Sequence, residues 1–298
     1  MGAPALSEAI AAMGSVLTPA LIDDTIALVA PGVRLPPADD CVQRHDLAYG
    51  PAPRHRLDLY RPLRLPAKRL PMVAFFPGGG FVGGDKNLDD VFYANIGRAL
   101  AARGIVTLIA TYRLAPQSPW PAGAEDVAEL VSWVQAGLNE EGGDTQRIVL
   151  FGHSAGGCHV AGFLGDPALA PRARHAVKGA VLGSAFLEMN GETAQPWARA
   201  YFGDDAAQWA TRSPLSSSER IEVPLLLFNA EFDPPMLAVP SYELAARICR
   251  ASGRAPAFLT LTGHNHLSEI LCFGTGDDRL LDAICDFVRR VDGEGSTA

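Results

Sequence analysis

The sequence lacks the features that would direct this chain to a membrane or to a nucleic acid. Its apolar runs are all shorter than the about 18 residues that a membrane-spanning helix needs. Basic residues are scarce, with 25 Lys and Arg against 33 Asp and Glu, which gives a formal net charge of −8. Binding to phosphate backbones depends on clustered cations, and no such cluster is present. We therefore predict neither a nucleic-acid partner nor a membrane partner.

Cysteine is also scarce, and its spacing excludes a disulfide scaffold and a cysteine metal site. The five cysteines are odd in number and far apart, with no Cys-x-x-Cys pair. They are Cys41, Cys158, Cys249, Cys272 and Cys285. No basic residue precedes Arg34, so the N-terminal stretch lacks the charged region of a secretory signal. Together these observations predict a cytoplasmic protein with reduced cysteines and no bound metal.

The pattern that is present is typical of an α/β protein. In a chain of 298 residues, 48 % of the residues are hydrophobic and 19 % are charged, the balance of an ordinary globular domain. Short apolar runs predict strands over 56–60, 71–76, 105–111, 147–151, 177–182, 223–228 and 257–261. Helical periodicity predicts helices over 88–102, 127–134, 237–250 and 280–290. Strands that alternate with helices predict a mostly parallel central sheet with helices on both faces.

One motif carries a specific chemistry. Gly152-His153-Ser154-Ala155-Gly156 follows a predicted strand and precedes a stretch rich in Ala and Gly. A Gly-x-Ser-x-Gly sequence in this context is typical of a nucleophile elbow, a sharp turn that exposes a serine hydroxyl at the end of a strand. We therefore predict that Ser154 is a nucleophile.

A serine nucleophile needs a histidine base, and in a fold with this elbow the base comes last in the chain. Besides His159, which flanks the elbow, three histidines follow Ser154. His175 lies in a loop rich in Pro and Arg, where a solvated role is expected. His264 and His266 both follow the last predicted strand, which is the position expected of the base, and this argument leaves the choice between them open.

The base needs an acid that orients it, and the acid is expected after the preceding strand. The strand over 223–228 is followed by Asn-Ala-Glu-Phe-Asp, which contains Glu231 and Asp233. We predict Asp233 as the acid and keep Glu231 as the weaker alternative. His153 and His159 flank the elbow and are not assigned a catalytic role.

A run of glycines follows the strand over 71–76. Gly78, Gly79 and Gly80 come directly after Pro77, and no Gly-Lys-Ser or Gly-Lys-Thr follows them, which argues against a phosphate-binding loop. Together with the serine motif, this run predicts an oxyanion loop, in which backbone N–H groups stabilise a negative charge.

These motifs together resemble the carboxylesterases of the α/β-hydrolase superfamily that are similar to hormone-sensitive lipase. The resemblance covers about residues 54–290 and rests on ordered motifs: the glycine loop, Tyr112-Arg113-Leu114-Ala115-Pro116 and the serine elbow. Ser213-Pro214-Leu215 and His266-Leu267-Ser268 in the C-terminal third resemble related esterases similar to kynurenine formamidase.

The resemblance implies roles for particular residues. It implies His266 as the base, because the family places the base three residues after a glycine, here Gly263. The implied triad is Ser154, Asp233 and His266, and the implied oxyanion donors are the N–H groups of Gly79, Gly80 and Ala155. The chain departs from the family at Pro77, where related lipases have a histidine. Proline has no N–H, so the outer hydrogen bonds of the loop are the part that this change affects.

The sequence therefore predicts a serine hydrolase that cleaves carboxylic esters of short to medium acyl chain through an acyl-enzyme, with no metal and no cofactor. Its expected partner is a small-molecule ester or amide, and homo-oligomer formation is left open. The alternative is hydrolysis of an amide or formamide, as in an arylformamidase. A less favoured alternative is a catalytically dead receptor, which would normally have lost a triad residue.

The predicted organisation is a helical cover over residues 1–45, with two short helices that separate at Pro19, and an α/β-hydrolase domain over 46–298. A polar segment at 188–220 is predicted as an insertion that covers the same face. Large apolar residues near the ends of strands are predicted to line the substrate pocket. They are Phe81, Phe186, Leu187 and Phe232.

Overall fold

An eight-stranded sheet forms the centre of the protein. The computed structural model describes residues 3–37, 40–88, 91–291 and 293. The strands are β1 (Cys41–Ala48), β2 (Arg56–Pro62), β3 (Leu70–Phe76), β4 (Val106–Ala110), β5 (Gly143–His153), β6 (Val177–Gly183), β7 (Leu225–Phe232) and β8 (Ala257–Asn265). Their order across the sheet is β1-β2-β4-β3-β5-β6-β7-β8. The two pairings of β2 are antiparallel and all the others are parallel, so the predicted mostly parallel sheet is confirmed.

Helices cover both faces of this sheet, as predicted. The helices are α1 (Ala3–Met13), α2 (Pro19–Val29), α3 (Ala94–Ala102), α4 (Ala122–Gly137), α5 (Ala155–Gly165), α6 (Pro196–Phe202), α7 (Ala206–Arg212), α8 (Pro235–Ser252), α9 (Ser268–Leu271) and α10 (Arg279–Val291). Among the helices of the described ranges, none combines the length and the apolar character that crossing a membrane requires.

The central strand β3 shows why both faces are covered. Met72, Ala74 and Phe76 belong to the core that includes α4, α5 and α8. Val73 and Phe75 belong to the core on the other face, which includes α3 and α10. Because successive side chains of a strand point to opposite faces, a strand that is apolar throughout needs a hydrophobic layer on each side.

The N-terminal region forms two helices, as predicted. The Leu21 N–H donates a 3.1 Å hydrogen bond to Oγ1 of Thr18, which caps the start of α2. The structure differs from the predictions at two other places. The helix predicted over 88–102 is helical only from Ala94 to Ala102, and residues 89–90 lie outside the described ranges. Strand β1 was not predicted, and it begins at Cys41, before the predicted boundary at residue 45.

The segment predicted as an insertion lies between β6 and β7. It contains α6, α7 and a 3₁₀ turn over Pro214–Arg220. Its side chains form a separate apolar cluster with Phe81 and Phe186, and the members from the segment include Tyr201, Phe202 and Trp209. The segment is therefore packed against the end of the sheet that carries the serine elbow.

His159 of α5 is buried at the contact between α4 and α5. Its ring lies 4.5 Å from that of Tyr112 and 5.5 Å from that of Phe81, measured between centroids. A Cβ on Gly123 of α4 would lie only 2.0 Å from Nδ1 of His159, so a glycine is needed there. Neither ring nitrogen has a hydrogen-bond partner among the described residues, and burial lowers the pKa of His159 from 6.5 to about 3.

This burial predicts a measurable acid sensitivity. Below pH 6.5 the unfolded chain binds a proton at residue 159 that the folded chain does not bind, so folding becomes less favourable as the pH falls. Between pH 6.5 and about 3 the free energy of unfolding should fall by about 1.4 kcal/mol per pH unit through His159 alone. We expect His159→Leu to lose this part of the dependence of the free energy of unfolding on pH. The free energy is measured by urea unfolding from pH 7.5 to 4.5. The exposed His175, changed to Leu, is the control and should keep the slope. An unchanged slope in His159→Leu would contradict the prediction.

Candidate active site

Ser154 lies on the tight turn between β5 and α5. Its φ of 54° lies in a region that non-glycine residues rarely adopt, at a cost of about 1–3 kcal/mol. The Ser154 N–H donates to the Gly183 carbonyl at 2.9 Å, which fixes the turn. A Cβ on Gly156 would lie 2.0 Å from the carbonyl oxygen of Phe76, and one on Gly152 would lie 2.5 Å from that of Gly156. The small residues of the motif therefore allow the close approach of strand and helix that exposes the serine.

Asp233 and His266, which follow neighbouring strands, form a buried pair. His266 Nδ1 lies 3.0 Å from Asp233 Oδ1. The second oxygen, Oδ2, accepts hydrogen bonds from the Ala230 N–H at 2.9 Å, from Asn229 Nδ2 at 3.1 Å and from the Ser184 hydroxyl. Burial alone would raise the pKa of Asp233, but the hydrogen bonds from His266, Ser184 and Asn229 outweigh it and hold this pKa below its usual value. The carboxylate is therefore ionised and can accept from the imidazole.

The two alternative residues have other partners. His264 Nδ1 lies 3.1 Å from Ser268 Oγ, and His264 Nε2 lies 3.1 Å from Asp277 Oδ2. Glu231 accepts the Gly263 N–H at 2.7 Å. The structure thus brings Asp233 to His266, while His264 and Glu231 hold the loop around them.

A cavity of about 450 Å³ lies over the serine turn. The sequence-predicted residues that line it are Ser154, His266, Gly79, Gly80, Ala155, Phe81 and Phe186. Asp233 lies behind His266, on the side of Nδ1. The structure therefore brings the predicted nucleophile, base and oxyanion residues to one space that a small molecule can occupy.

The glycine loop forms one side of this cavity. Gly79 and Gly80 have φ values of 145° and 58°, which glycine adopts at low cost, and a Cβ on Gly79 would lie 2.1 Å from the Gly83 carbonyl oxygen. Ala155 is the first residue of α5, where backbone N–H groups have no partner within the helix. The loop is held through carbonyls: Tyr112 OH donates to Pro77 O at 2.8 Å and Arg54 Nη2 donates to Gly84 O at 2.7 Å. A proline at position 77 is compatible with these bonds, because its carbonyl is the group that is used.

Leu187 and Phe232, which were predicted as pocket walls, are not among the residues that line the cavity in the described ranges. Leu187 directly follows Phe186, and its side chain packs in the core with α5 and α8. Phe232 lies at the end of β7, paired with Asn265 of β8. Neighbouring residues of an extended chain face different sides, so Phe186 faces the cavity while Leu187 faces the core.

The N-terminal region forms one wall of the cavity. The sequence motifs did not identify which of its residues line the cavity. Leu17, Thr18, Pro19 and Ile22 line the cavity, and so does Trp197 of α6. Asn265 joins this wall to the loop of the base: its Nδ2 donates to Thr25 Oγ1 of α2 at 2.9 Å, and its Oδ1 accepts the N–H groups of Leu267 and Ser268 at 3.1 and 2.9 Å.

Two further buried groups lie against the proposed base, and neither was predicted as part of the site. His153 Nε2 lies 3.1 Å from the His266 carbonyl oxygen and 3.1 Å from Glu269 Oε1. Burial lowers the pKa of His153 well below its usual value, and burial together with the charge of Asp233 raises the pKa of Glu269 well above its usual value. An acidic residue inside the apolar run Leu-Ser-Glu-Ile-Leu was the signal that could have indicated a buried carboxyl.

His153, His266 and Glu269 also form a cluster of metal-ligand types. One ligand atom from each lies within 4.8 Å of the others. However, His266 Nδ1 is engaged by Asp233, and His153 Nε2 faces a carbonyl oxygen that can only accept. These two ring nitrogens are therefore used in hydrogen bonds within the protein, while His153 Nδ1 and Glu269 Oε2 have no hydrogen-bond partner among the described residues.

Comparison with known proteins identifies the family. A family model described as the alpha/beta hydrolase fold matches residues 73–269, and the chain belongs to this family. A solved structure titled "Bacterial Heroin Esterase" has the same fold, with a TM-score of 0.73 and 22 % sequence identity over 97 % of each chain.

Two curated relatives from Mycobacterium tuberculosis are named as esterases. Esterase LipC is 37 % identical over 131 residues, which are 44 % of this chain and 32 % of LipC. Esterase LipQ is 27 % identical over 266 residues, which are 83 % of this chain and 62 % of LipQ. The chain thus spans less than two thirds of the length of either relative.

Proposed function

We propose that this chain is a carboxylesterase, a serine hydrolase that cleaves esters of short to medium acyl chain through an acyl-enzyme. The observation that carries the proposal is the cavity that is lined both by Ser154, on its strained turn, and by His266, whose Nδ1 is bound to Asp233. The names of the curated relatives LipC and LipQ support ester hydrolysis as the activity.

The proposed mechanism follows from these positions. His266 Nε2 takes the proton of the Ser154 hydroxyl, which attacks the ester carbonyl carbon. Asp233 keeps Nδ1 of His266 protonated and stabilises the imidazolium cation. The N–H groups of Gly79, Gly80 and Ala155 stabilise the oxyanion. His266 then protonates the leaving alcohol, and water, activated by the same histidine, releases the acid. Apart from the substrate and this water, the proposed steps use side-chain and backbone groups of the chain.

We also propose a small-molecule ester as the substrate and the cytoplasm as the location. The cavity volume of about 450 Å³ supports the first proposal, because it lies within the range of small-molecule sites. The cysteines support the second, because none of the five, which all lie within the described residues, forms a disulfide bond.

The preference for short acyl chains is supported by the aromatic packing at the cavity. Phe81 stacks on Tyr201 with ring centroids 4.6 Å apart and meets Phe186 edge to face at 5.5 Å. The Trp197 ring would lie 3.7 Å from a Cβ placed on Gly80, beside the proposed oxyanion donors. A long acyl chain would have to displace these packed rings, while each buried methylene of substrate contributes only about 0.8 kcal/mol.

We expect kcat/KM across p-nitrophenyl esters from acetate to palmitate to be highest between acetyl and hexanoyl. Trp197→Ala, which removes an indole from the cavity wall, should move the maximum to longer chains. Trp120→Ala is the matched control, because Trp120 is half exposed under Arg212 and lies outside the lining of the cavity in the described ranges. A maximum at palmitate in the wild-type chain would contradict the proposed preference.

The same assay distinguishes ester hydrolysis from the two alternative functions, amide hydrolysis and ligand binding without catalysis. N-formyl-kynurenine, compared with p-nitrophenyl acetate, tests for amide cleavage. A higher kcat/KM on the formamide would replace the ester proposal. Absence of turnover on both, in a folded protein, would indicate a receptor.

A further inference from the structure

Glu269 is a second carboxyl group beside the proposed acid–base pair, and the mechanism above gives it no role. The side chain is completely buried, with a relative exposure of 0 %. Its Oε1 lies 3.1 Å from His153 Nε2 and 4.0 Å from His266 Nδ1. Its Oε2 is also buried and has no hydrogen-bond partner among the described residues. Burying a carboxyl oxygen without a hydrogen-bond partner lowers the stability of the fold. A buried carboxyl group at this position, next to His266, therefore indicates a functional role.

His153 connects this carboxyl to the base. The carbonyl oxygen of His266 can only accept a hydrogen bond, so His153 Nε2 at 3.1 Å carries the proton and donates. The same nitrogen also lies 3.1 Å from Glu269 Oε1, and the rings of His153 and His266 lie 4.6 Å apart between centroids. Glu269 therefore helps to fix His153, and His153 fixes the backbone and ring of the base.

The groups around Glu269 favour its neutral form. The titratable groups that face it are His153 from β5, Asp233 after β7, His266 after β8 and Cys272, whose thiol donates to the Glu269 carbonyl. Burial and the negative charge of Asp233 raise the pKa of Glu269, while the nearby Ser184 hydroxyl lowers it by a smaller amount. Two carboxyl groups this close do not readily ionise together. Removing the charge of Asp233 would therefore make ionisation of Glu269 easier.

We propose that Glu269 is a second acid for His266: a positioning residue that holds the base through His153 and can orient Nδ1–H itself when the Asp233 carboxylate is absent. The inference rests on the proposed roles of Ser154, Asp233 and His266. To act in this way Glu269 releases its proton to solvent and moves toward His266 Nδ1 by about 1 Å, from 4.0 Å to hydrogen-bond distance.

The test compares Asp233→Asn, Glu269→Gln and the double variant by kcat on p-nitrophenyl acetate from pH 6 to 10. In a triad without a second acid, the aspartate-to-asparagine change costs about 10⁴-fold in kcat. We expect Asp233→Asn to lose less at pH 9 than at pH 6, because the pKa of Glu269 is raised and its ionised fraction therefore increases as the pH rises. Adding Glu269→Gln should remove this rise and lower kcat at pH 9 by at least about 100-fold. In the wild-type background the same change should cost about tenfold or less.

Two further variants keep the test decisive. Asp277→Asn removes the carboxylate that holds His264 in the same region, and in the Asp233→Asn background it should leave the rise with pH intact. If the Gln double variant does not fold, Glu269→Asp in the Asp233→Asn background serves instead, since the shorter side chain retreats from His266. Thermal denaturation and labelling of Ser154 with a fluorophosphonate measure the folded, competent fraction of each protein.

The inference is overturned if Glu269→Gln lowers kcat by the same factor in both backgrounds at every pH, because that is the signature of a purely structural role. It is also overturned if Asp233→Asn shows no rise with pH that depends on Glu269. These results leave the proposed function intact. Turnover that persists in Ser154→Ala would instead overturn the proposed function.

Discussion

Ser154→Ala should lower kcat on p-nitrophenyl acetate by about a millionfold, because the members of a triad act as a unit. Alanine keeps the Cβ of serine, so the strained backbone at φ 54° and the hydrogen bond of the Ser154 N–H to Gly183 are unchanged. The variant should therefore unfold at the same temperature as the wild type within about 2 °C, because it removes only a hydroxyl group at the cavity surface.

The measurement combines steady-state kinetics with thermal denaturation of the same preparations. Ser132→Ala is the matched control, since Ser132 lies on α4 and its hydroxyl donates to the Ala128 carbonyl of the same helix. It should retain wild-type kcat. Ester turnover near the wild-type rate in purified Ser154→Ala would remove Ser154 from the mechanism.

His266→Ala should be about as damaging to kcat as the loss of the serine, because without the base Ser154 remains a neutral hydroxyl. His264→Ala should behave differently. Its ring bonds Ser268 and Asp277, so the change removes two hydrogen bonds and should cost about 1–3 kcal/mol of stability. Its effect on kcat should be much smaller, because its nitrogens are directed away from the Asp233–His266 pair.

The two histidine variants serve as controls for each other in kinetics and in urea unfolding. We expect His266→Ala to be inactive and His264→Ala to be active, with a lower unfolding midpoint in both variants, because each change removes hydrogen bonds of a buried ring. An inactive His264→Ala together with an active His266→Ala would reverse the assignment of the base.

The sequence could predict those parts of the site that depend on local sterics or on chain order. The elbow around Ser154 and the loop at Gly79 each require small residues at fixed spacing, and this spacing can be recognised in the amino-acid sequence. Asp233 was predicted because the acid follows a strand in a known order. The choice of His266 over His264 needed the family resemblance, because both residues follow the same strand.

The parts that were not predicted depend on distant contacts or on irregular backbone. Strand β1 has a register shift between Arg44 and Leu47, which interrupts the alternation that would reveal a strand. Glu269 meets His153 across 116 positions of the sequence. No local sequence pattern indicates this contact. Only the order of the strands in the sheet brings the C-terminal ends of β5 and β8 close together.

The hydrogen bond between Thr25 and Asn265 has a consequence for the order of assembly. It joins residues 240 positions apart and ties the N-terminal wall of the cavity to the turn that carries His266. Contacts of such long range close late, because the loop entropy is lost before the contact contributes. On the ribosome, the helices that form this wall emerge before β8 and α9, against which they pack in the folded protein. The wall that selects the acyl chain and the turn that carries the base should therefore form in the same late step. A partly folded chain would then contain no reactive serine.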